Sequence, residues 1–265
     1  NLIRAAEMGK QVVCLVERKA RFDEERNVQI ARRLEKAGVH VVYGVVGLKT
    51  HTKTSLVVRR ESEGMRCYAH VGTGNYNSKT ANLYTDLGLF TADPRITDDL
   101  VELIHYLPGH SRQRPFAPLL IAPVNMRKRF NELINREIKH AADWNARGAA
   151  PADPNRPRIT AKMNSLEDPG ICDRLYAASR AGVAVDLLVR GFCCLRPGVP
   201  GLSDNIRVVS VIGRFLEHSR IYRFHNNGQP DHFFGSADWM YHNLNNRVEC
   251  ITPVYEPELK RVLDE

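Results

Sequence analysis

Gly47-Leu48-Lys49-Thr50-His51-Thr52-Lys53-Thr54-Ser55-Leu56-Val57-Val58-Arg59-Arg60 sets an imidazole and an ammonium two residues apart at the head of an apolar, β-branched run. If the run is a strand, its period of two sends both side chains from one face. A nucleophile and a phosphate clamp could then stand side by side. An isolated H-x-K is weak, because short motifs recur by chance and a surface strand with a stray His and Lys explains it equally well. The pattern gains weight only if it recurs.

It does recur. Laying Gly182 on Gly9 puts Ala181 to Arg190 over Met8 to Glu17, so that a helix end and a strand coincide. Further on, Leu216-Glu217-His218-Ser219-Arg220-Ile221-Tyr222 falls on Lys49 to Ser55. Each H-x-basic pair leads into a strand, a turn, a second strand and a glycine–hydroxyl turn: Gly72-Thr73-Gly74-Asn75, then Gly235-Ser236-Ala237-Asp238. Internal duplication fixes architecture before details.

Working outward, Val12 to Val16 is an unbroken apolar run, the mark of a strand buried on both faces. Helical spacing follows from Asp23 to Ala37, then a strand from Val39 to Val46 and another from Arg66 to Val71. Residues 109–125 are rich in proline and lack periodicity, which places a domain junction there. A helix is expected over Arg127 to Ala142 and a strand over Arg158 to Asn164. Strands alternating with helices predict an α/β fold, with a first domain over 1–125 and a second over 126–265. Residues 158–173 have no counterpart at the front, so the first domain is expected to lack its opening strand and most of its first helix. The first residue is not Met and Leu2 to Ala6 read as mid-helix, so a fragment is expected, poorly active by itself.

With 43% hydrophobic and 26% charged residues the chain can bury a core. Its net charge of +8 points to an anionic partner. The six cysteines include no C-x-x-C pair, which argues against a zinc site or a disulfide scaffold and makes a reducing cytoplasm the default. No apolar run reaches the roughly 18 residues of a membrane span; peripheral association stays open. Lys53 and Arg220 are expected to face phosphate, and Lys162 and Asn164 end a strand where they could join them. Asn75 and Asp238 are expected to brace the histidines or turns, Tyr76 and Trp239 to be core aromatics, and His225 and His232 to be solvent or loop histidines.

A duplicated H-x-K followed by G-[ST]-x-[ND] resembles the phospholipase D superfamily, which implies two phospholipase D-like α/β domains whose histidine motifs face each other. One imidazole would attack phosphorus and the other would manage the leaving-group proton. The aspartate that the phosphodiesterases carry five residues past the basic residue is absent, since Val58 and His225 stand there. Tyr84-Thr85-Asp86-Leu87-Gly88-Leu89-Phe90-Thr91-Ala92-Asp93-Pro94, Cys194-Leu195-Arg196-Pro197-Gly198 and Gly235-Ser236-Ala237-Asp238-Trp239-Met240 are longer and more specific. With Gly47 to Arg60, they are similar to the C-terminal catalytic domains of the type-1 polyphosphate kinases.

That resemblance implies reversible transfer of the ATP γ-phosphate to polyphosphate through a phosphohistidine, with Mg²⁺. It implies His51 as the autophosphorylated residue, His218 as the second histidine, Tyr84 and Arg190 as nucleotide-holding residues, and Arg21 at the magnesium–phosphate position. A guanidinium cannot ligate a cation, so Arg21 is read as a phosphate contact beside the metal. ATP or ADP and inorganic polyphosphate are the implied partners, no nucleic acid is expected, and the full-length protein is implied to be a homo-oligomer. The alternatives are a phospholipase D-like phosphodiesterase or nuclease, and a non-catalytic polyanion-binding module.

Overall fold

The computed structural model describes residues 1–17, 24–108, 115–148, 150 and 153–265. Arg21 therefore lies outside the described residues. The chain is of mixed α/β type and groups into two compact units, one of residues 1–50 with 100–115 and one of 51–99 with 116–265. The segment 51–99, which the sequence assigns to the first domain, groups with the second half.

The smaller unit begins with α1 (Leu2–Glu7), β1 (Val13–Leu15), α2 (Glu24–Lys36), β2 (His40–Val42) and β3 (Lys49–Thr50). β1 and β2 pair in parallel, Val13 opposite His40. Ala31 and Leu34 of α2 pack with Val16 and Val39 into a small core. Gly9 and Gly38 take left-handed φ at the ends of the two helices, a conformation glycine adopts without Cβ strain. Val13 is largely exposed, so this strand is not buried on both faces as its unbroken apolar run suggests.

In the larger unit the opening stretch becomes β4 (Lys53–Glu61), followed by β5 (Gly64–Gly72), α3 (Ser78–Ala81), β6 (Tyr84–Thr85) and β7 (Gly88–Thr91); α4 (Pro94–Tyr106) starts in this unit, and its residues from Leu100 on belong to the smaller one. Then come β8 (Leu120–Ala122), α5 (Met126–Ala146), β9 (Arg158–Met163), α6 (Pro169–Arg180), β10 (Ala184–Val189) and β11 (Ile206–Val209). The chain closes with β12 (Leu216–Glu217), β13 (Arg220–Phe224), β14 (Asp231–Gly235), α7 (Tyr241–Asn245), β15 (Arg247–Val254) and α8 (Pro257–Asp264). The main sheet runs β11-β10-β9-β13-β14-β15, with β8 antiparallel on β15. β9, β10 and β11 are mutually parallel, and β13, β14 and β15 antiparallel. A second antiparallel sheet is β4-β5-β7, and β6 pairs with β12.

The duplication is visible in strand register. Lys53 lies opposite Gly72 and Gly72 opposite Gly88; Arg220 lies opposite Gly235 and Gly235 opposite Ile251. The basic residue of each motif thus pairs with the first glycine of its own glycine–hydroxyl turn. At Gly235 a Cβ would stand 2.1 Å from the Cys250 carbonyl oxygen, so only glycine fits. The two triplets differ at their borders: β13 continues to β9, whereas β4 is a sheet edge.

α5 covers β13 and β9, and α6 covers β10, with Phe130, Leu133, Ile134, Ile171 and Leu175 in the shared core. Phe130, Tyr222 and Trp239 form a buried aromatic cluster with centroids 4.8–5.5 Å apart. The Tyr222 hydroxyl donates to the Ala237 carbonyl at 2.7 Å, satisfying the one polar atom such a ring must bury. Trp239 is a core aromatic, as expected. Tyr76 is exposed and bonds His70 instead, while His225 and His232 are buried, the latter against Asp264.

Candidate active site

His51 lies two residues before β4, and its backbone N–H donates to the Val248 carbonyl at 2.8 Å, one residue before Glu249 on β15. That anchor brings the imidazole to a carboxylate 198 residues away: Nδ1 lies 2.8 Å from Glu249 Oε2. A carboxylate acceptor fixes the proton on Nδ1 and leaves the Nε2 lone pair free. Burial above all, with smaller contributions from Lys53 and Arg220, lowers the imidazole to about 4 against the pull of Glu249, so it is neutral at pH 7.

His218 repeats the arrangement. Its Nδ1 lies 2.7 Å from Asp86 Oδ1, which follows β6 in the first half. Burial lowers this imidazole as well, against the pull of Asp86. Arg220 Nη1 approaches Nε2 at 3.1 Å, which marks Nε2 as the acceptor. Each carboxylate is in turn held by the hydroxyl of the matching turn: Thr73 Oγ1 donates to Asp86 Oδ1 at 2.6 Å, and Ser236 Oγ donates to Glu249 Oε2. The histidine of one repeat is therefore oriented by the carboxylate of the other.

The expected cations gather here. Lys53 is buried and its ammonium donates to the His51 carbonyl. Burial above all, with Arg220 and Arg247 adding repulsion, lowers it to about 7 against the attraction of Glu249 and Asp86. Arg220 forms a two-pronged ion pair with Asp238, at 3.2 and 3.1 Å. The charges of Lys53 and Arg220 each act on both histidines, which places the two half-sites in one electrostatic field. Such an arrangement can take a phosphoryl group between two imidazoles and neutralise its oxygens.

Other expected residues take differentiated places. Tyr84 stacks on His218 with centroids 4.8 Å apart. Asn164 braces the site: its backbone N–H donates to Asp238 Oδ1 at 2.7 Å, and its side-chain oxygen accepts from Arg190 Nε at 2.5 Å. Lys162 is engaged by Glu217 at 2.9 Å and by Ser219. Asp238 braces Arg220 and Asn164, whereas the exposed Asn75 braces neither histidine. Asp86, Glu249, Asn243 and Arg247 escaped the sequence reading. One signal was available: Thr73 to Asp86 and Ser236 to Glu249 are both spaced by 13 residues. These carboxylates, and not residues five past Lys53 and Arg220, contact the two histidines.

Among the described residues no group of three or more His, Cys, Asp or Glu could hold a metal, and no helix is long and apolar enough to cross a membrane.

Residues 1–113 match the family described as Polyphosphate kinase C-terminal domain 1, and residues 119–265 match Polyphosphate kinase C-terminal domain 2. The chain is 59% identical over 264 residues to a polyphosphate kinase of Thermosynechococcus vestitus, covering 100% of this chain and 35% of that protein. It is 53% identical to the polyphosphate kinase of Streptomyces coelicolor, covering 99% of this chain and 34% of that one. The crystal structure of polyphosphate kinase from Porphyromonas gingivalis superposes with a TM-score of 0.85 at 42% identity, over 99% of this chain and 42% of that chain. The chain thus spans about a third of the length of the curated relatives it matches.

Proposed function

The chain belongs to the polyphosphate kinase family through its two C-terminal domains, and from that premise we propose that it forms the catalytic part of an enzyme reversibly transferring the ATP γ-phosphate to inorganic polyphosphate. The supporting observation is the reciprocal pair of histidine–carboxylate contacts, with Lys53 and Arg220 beside them.

His51 Nε2 attacks the γ-phosphorus; a P–N bond forms, the bond to the β-phosphate oxygen breaks, and its electron pair leaves with ADP. Nε2 carries no proton, so none is lost, and Nδ1–H stays on Glu249. The phosphoryl group then passes to the terminal oxygen of a polyphosphate chain as the P–N bond breaks. Lys53 and Arg220 offset charge on the non-bridging oxygens, and His218 faces the same phosphate. Arg190 holds the nucleotide phosphates, Tyr84 the nucleoside end, and Lys162 reaches phosphate after release from Glu217. The described residues offer no carboxylate cage for Mg²⁺; as a family cofactor it would ride on the nucleotide phosphates. A cytoplasmic setting and self-association of the full-length protein complete this reading.

The test is covalent labelling of the full-length protein with [γ-³²P]ATP. Acid-labile, base-stable label is expected, and it should disappear in His51→Ala. Undiminished label in that variant would assign the phosphoryl group elsewhere.

A further inference from the structure

The two histidine–carboxylate pairs are alike in the histidine and hydroxyl that each carboxylate receives, and differ in exposure, in the Arg220 contact to His218 Nε2 and in one buried amide. Asp86 is solvent-accessible and receives both side-chain donors, Thr73 and His218, on Oδ1. Glu249 is fully buried; Oε2 receives Ser236 and His51, and Oε1 receives the Asn243 amide at 2.5 Å. The next donor to Oε1, Arg247, is 3.9 Å away. Among the described residues nothing in the first repeat supplies Asp86 with a corresponding amide.

Asn243 lies on α7 and is fully buried, and its own Oδ1 has no hydrogen-bond partner among the described residues. A buried amide that leaves half of its capacity unused is costly unless the bond it does make matters. That bond goes to Glu249, which carries full charge without solvent. Net attraction from His51, Lys53 and Ser236 overcomes burial and keeps Glu249 well below the usual carboxylate range. An ionised Glu249 is what holds the His51 proton on Nδ1 and exposes Nε2.

We propose that Asn243 is a positioning residue that selects His51 over its near-equivalent His218 as the phosphoryl acceptor, by fixing Glu249 as a fully ionised partner for Nδ1. This rests on the phosphohistidine reading above.

The test compares Asn243→Leu and Asn243→Asp in the full-length protein. Asn243→Leu removes the donor, and labelling of His51 should fall roughly 10- to 100-fold at every pH, the scale on which second-shell partners act, with residual label shifting toward His218 in peptide mapping. Asn243→Asp donates only when protonated, and two adjacent buried carboxylates share a proton. Its labelling should therefore be low at pH 8 and recover as pH falls toward 6. A merely structural asparagine would give a pH-independent loss in Asn243→Asp as well, and that result, or wild-type labelling in both variants, overturns the proposal. Imidazole ¹⁵N NMR reads the His51 tautomer without turnover: Nδ1–H in the parent protein and a mixture in Asn243→Leu. An unaltered tautomer sinks the role of Asn243 even if labelling is strong. An unlabelled parent protein with the expected tautomer change would instead sink the phosphohistidine reading, and selection of a phosphoryl acceptor with it.

Discussion

The triplets β4-β5-β7 and β13-β14-β15 carry the same motif in the same register and are covered differently. In the second, the face of Tyr222, Phe224 and Phe233 lies beneath α5 and is buried. The matching face of the first carries Val57, His70 and Phe90, and Phe90 is 83% exposed. Local geometry at the site is nonetheless repeated: basic residue opposite glycine, hydroxyl on carboxylate, carboxylate on histidine. Hydrogen bonds and register place the reacting groups, while burial of the opposite ends of the same strands stabilises the scaffold. The two tasks are separable along a single strand.

Cutting into the covered face should produce the largest effect. Phe224→Ala is expected to cost about 3–5 kcal/mol in urea denaturation, as large-to-small changes in packed cores do. Phe90→Ala, in the open face of the first triplet, should stay within about 0.5 kcal/mol. Equal losses would mean that the first face is covered in solution.

The carboxylates come next. Glu249→Gln should slow single-turnover labelling roughly 10- to 100-fold, and Asp86→Asn by less, because Asp86 is partly solvated whereas Glu249 is fully buried. A larger loss at Asp86 would reverse the assignment of roles between the two histidines.

The smallest expected effect is a pH dependence. Lys53 has a folded pKa of about 7 against an ordinary 10.5, so between these values the unfolded chain binds the extra proton and folding stability rises with pH. Phosphate needs the charged ammonium, so triphosphate affinity measured by calorimetry should fall above pH 7, by at most about tenfold per pH unit for one coupled proton. Lys53→Met should flatten both trends.

Much of this was legible in the sequence, for identifiable reasons. An H-x-basic pair seen twice singled out His51, Lys53, His218 and Arg220, although only the basic residue of each pair lies in its strand and the histidine precedes it by two residues. Tyr84 on His218 and Arg190 on Asn164 came only through the family resemblance. Asp86 and Glu249 were missed because their partners are 132 and 198 residues away, where sequence spacing carries no geometric information. The short apolar run at Val12 to Val16 misled for a related reason: burial on a second face depends on what lies over it, which the run itself does not encode. Asn164 ends a strand as expected, but its oxygen is spent on Arg190.

The exchange of carboxylates between repeats also bears on how such a site can arise. Were the repeats separate chains, neither would contain a complete histidine–carboxylate pair, and each pair would exist only at an encounter between two molecules, diluted away at low concentration. Joining them in one polypeptide replaces that encounter with a tether and a fixed effective concentration. Substitutions in one repeat can then be offset in the other, so the two copies are free to diverge in cover and charge while remaining bound to a common ancestry at the atoms they trade.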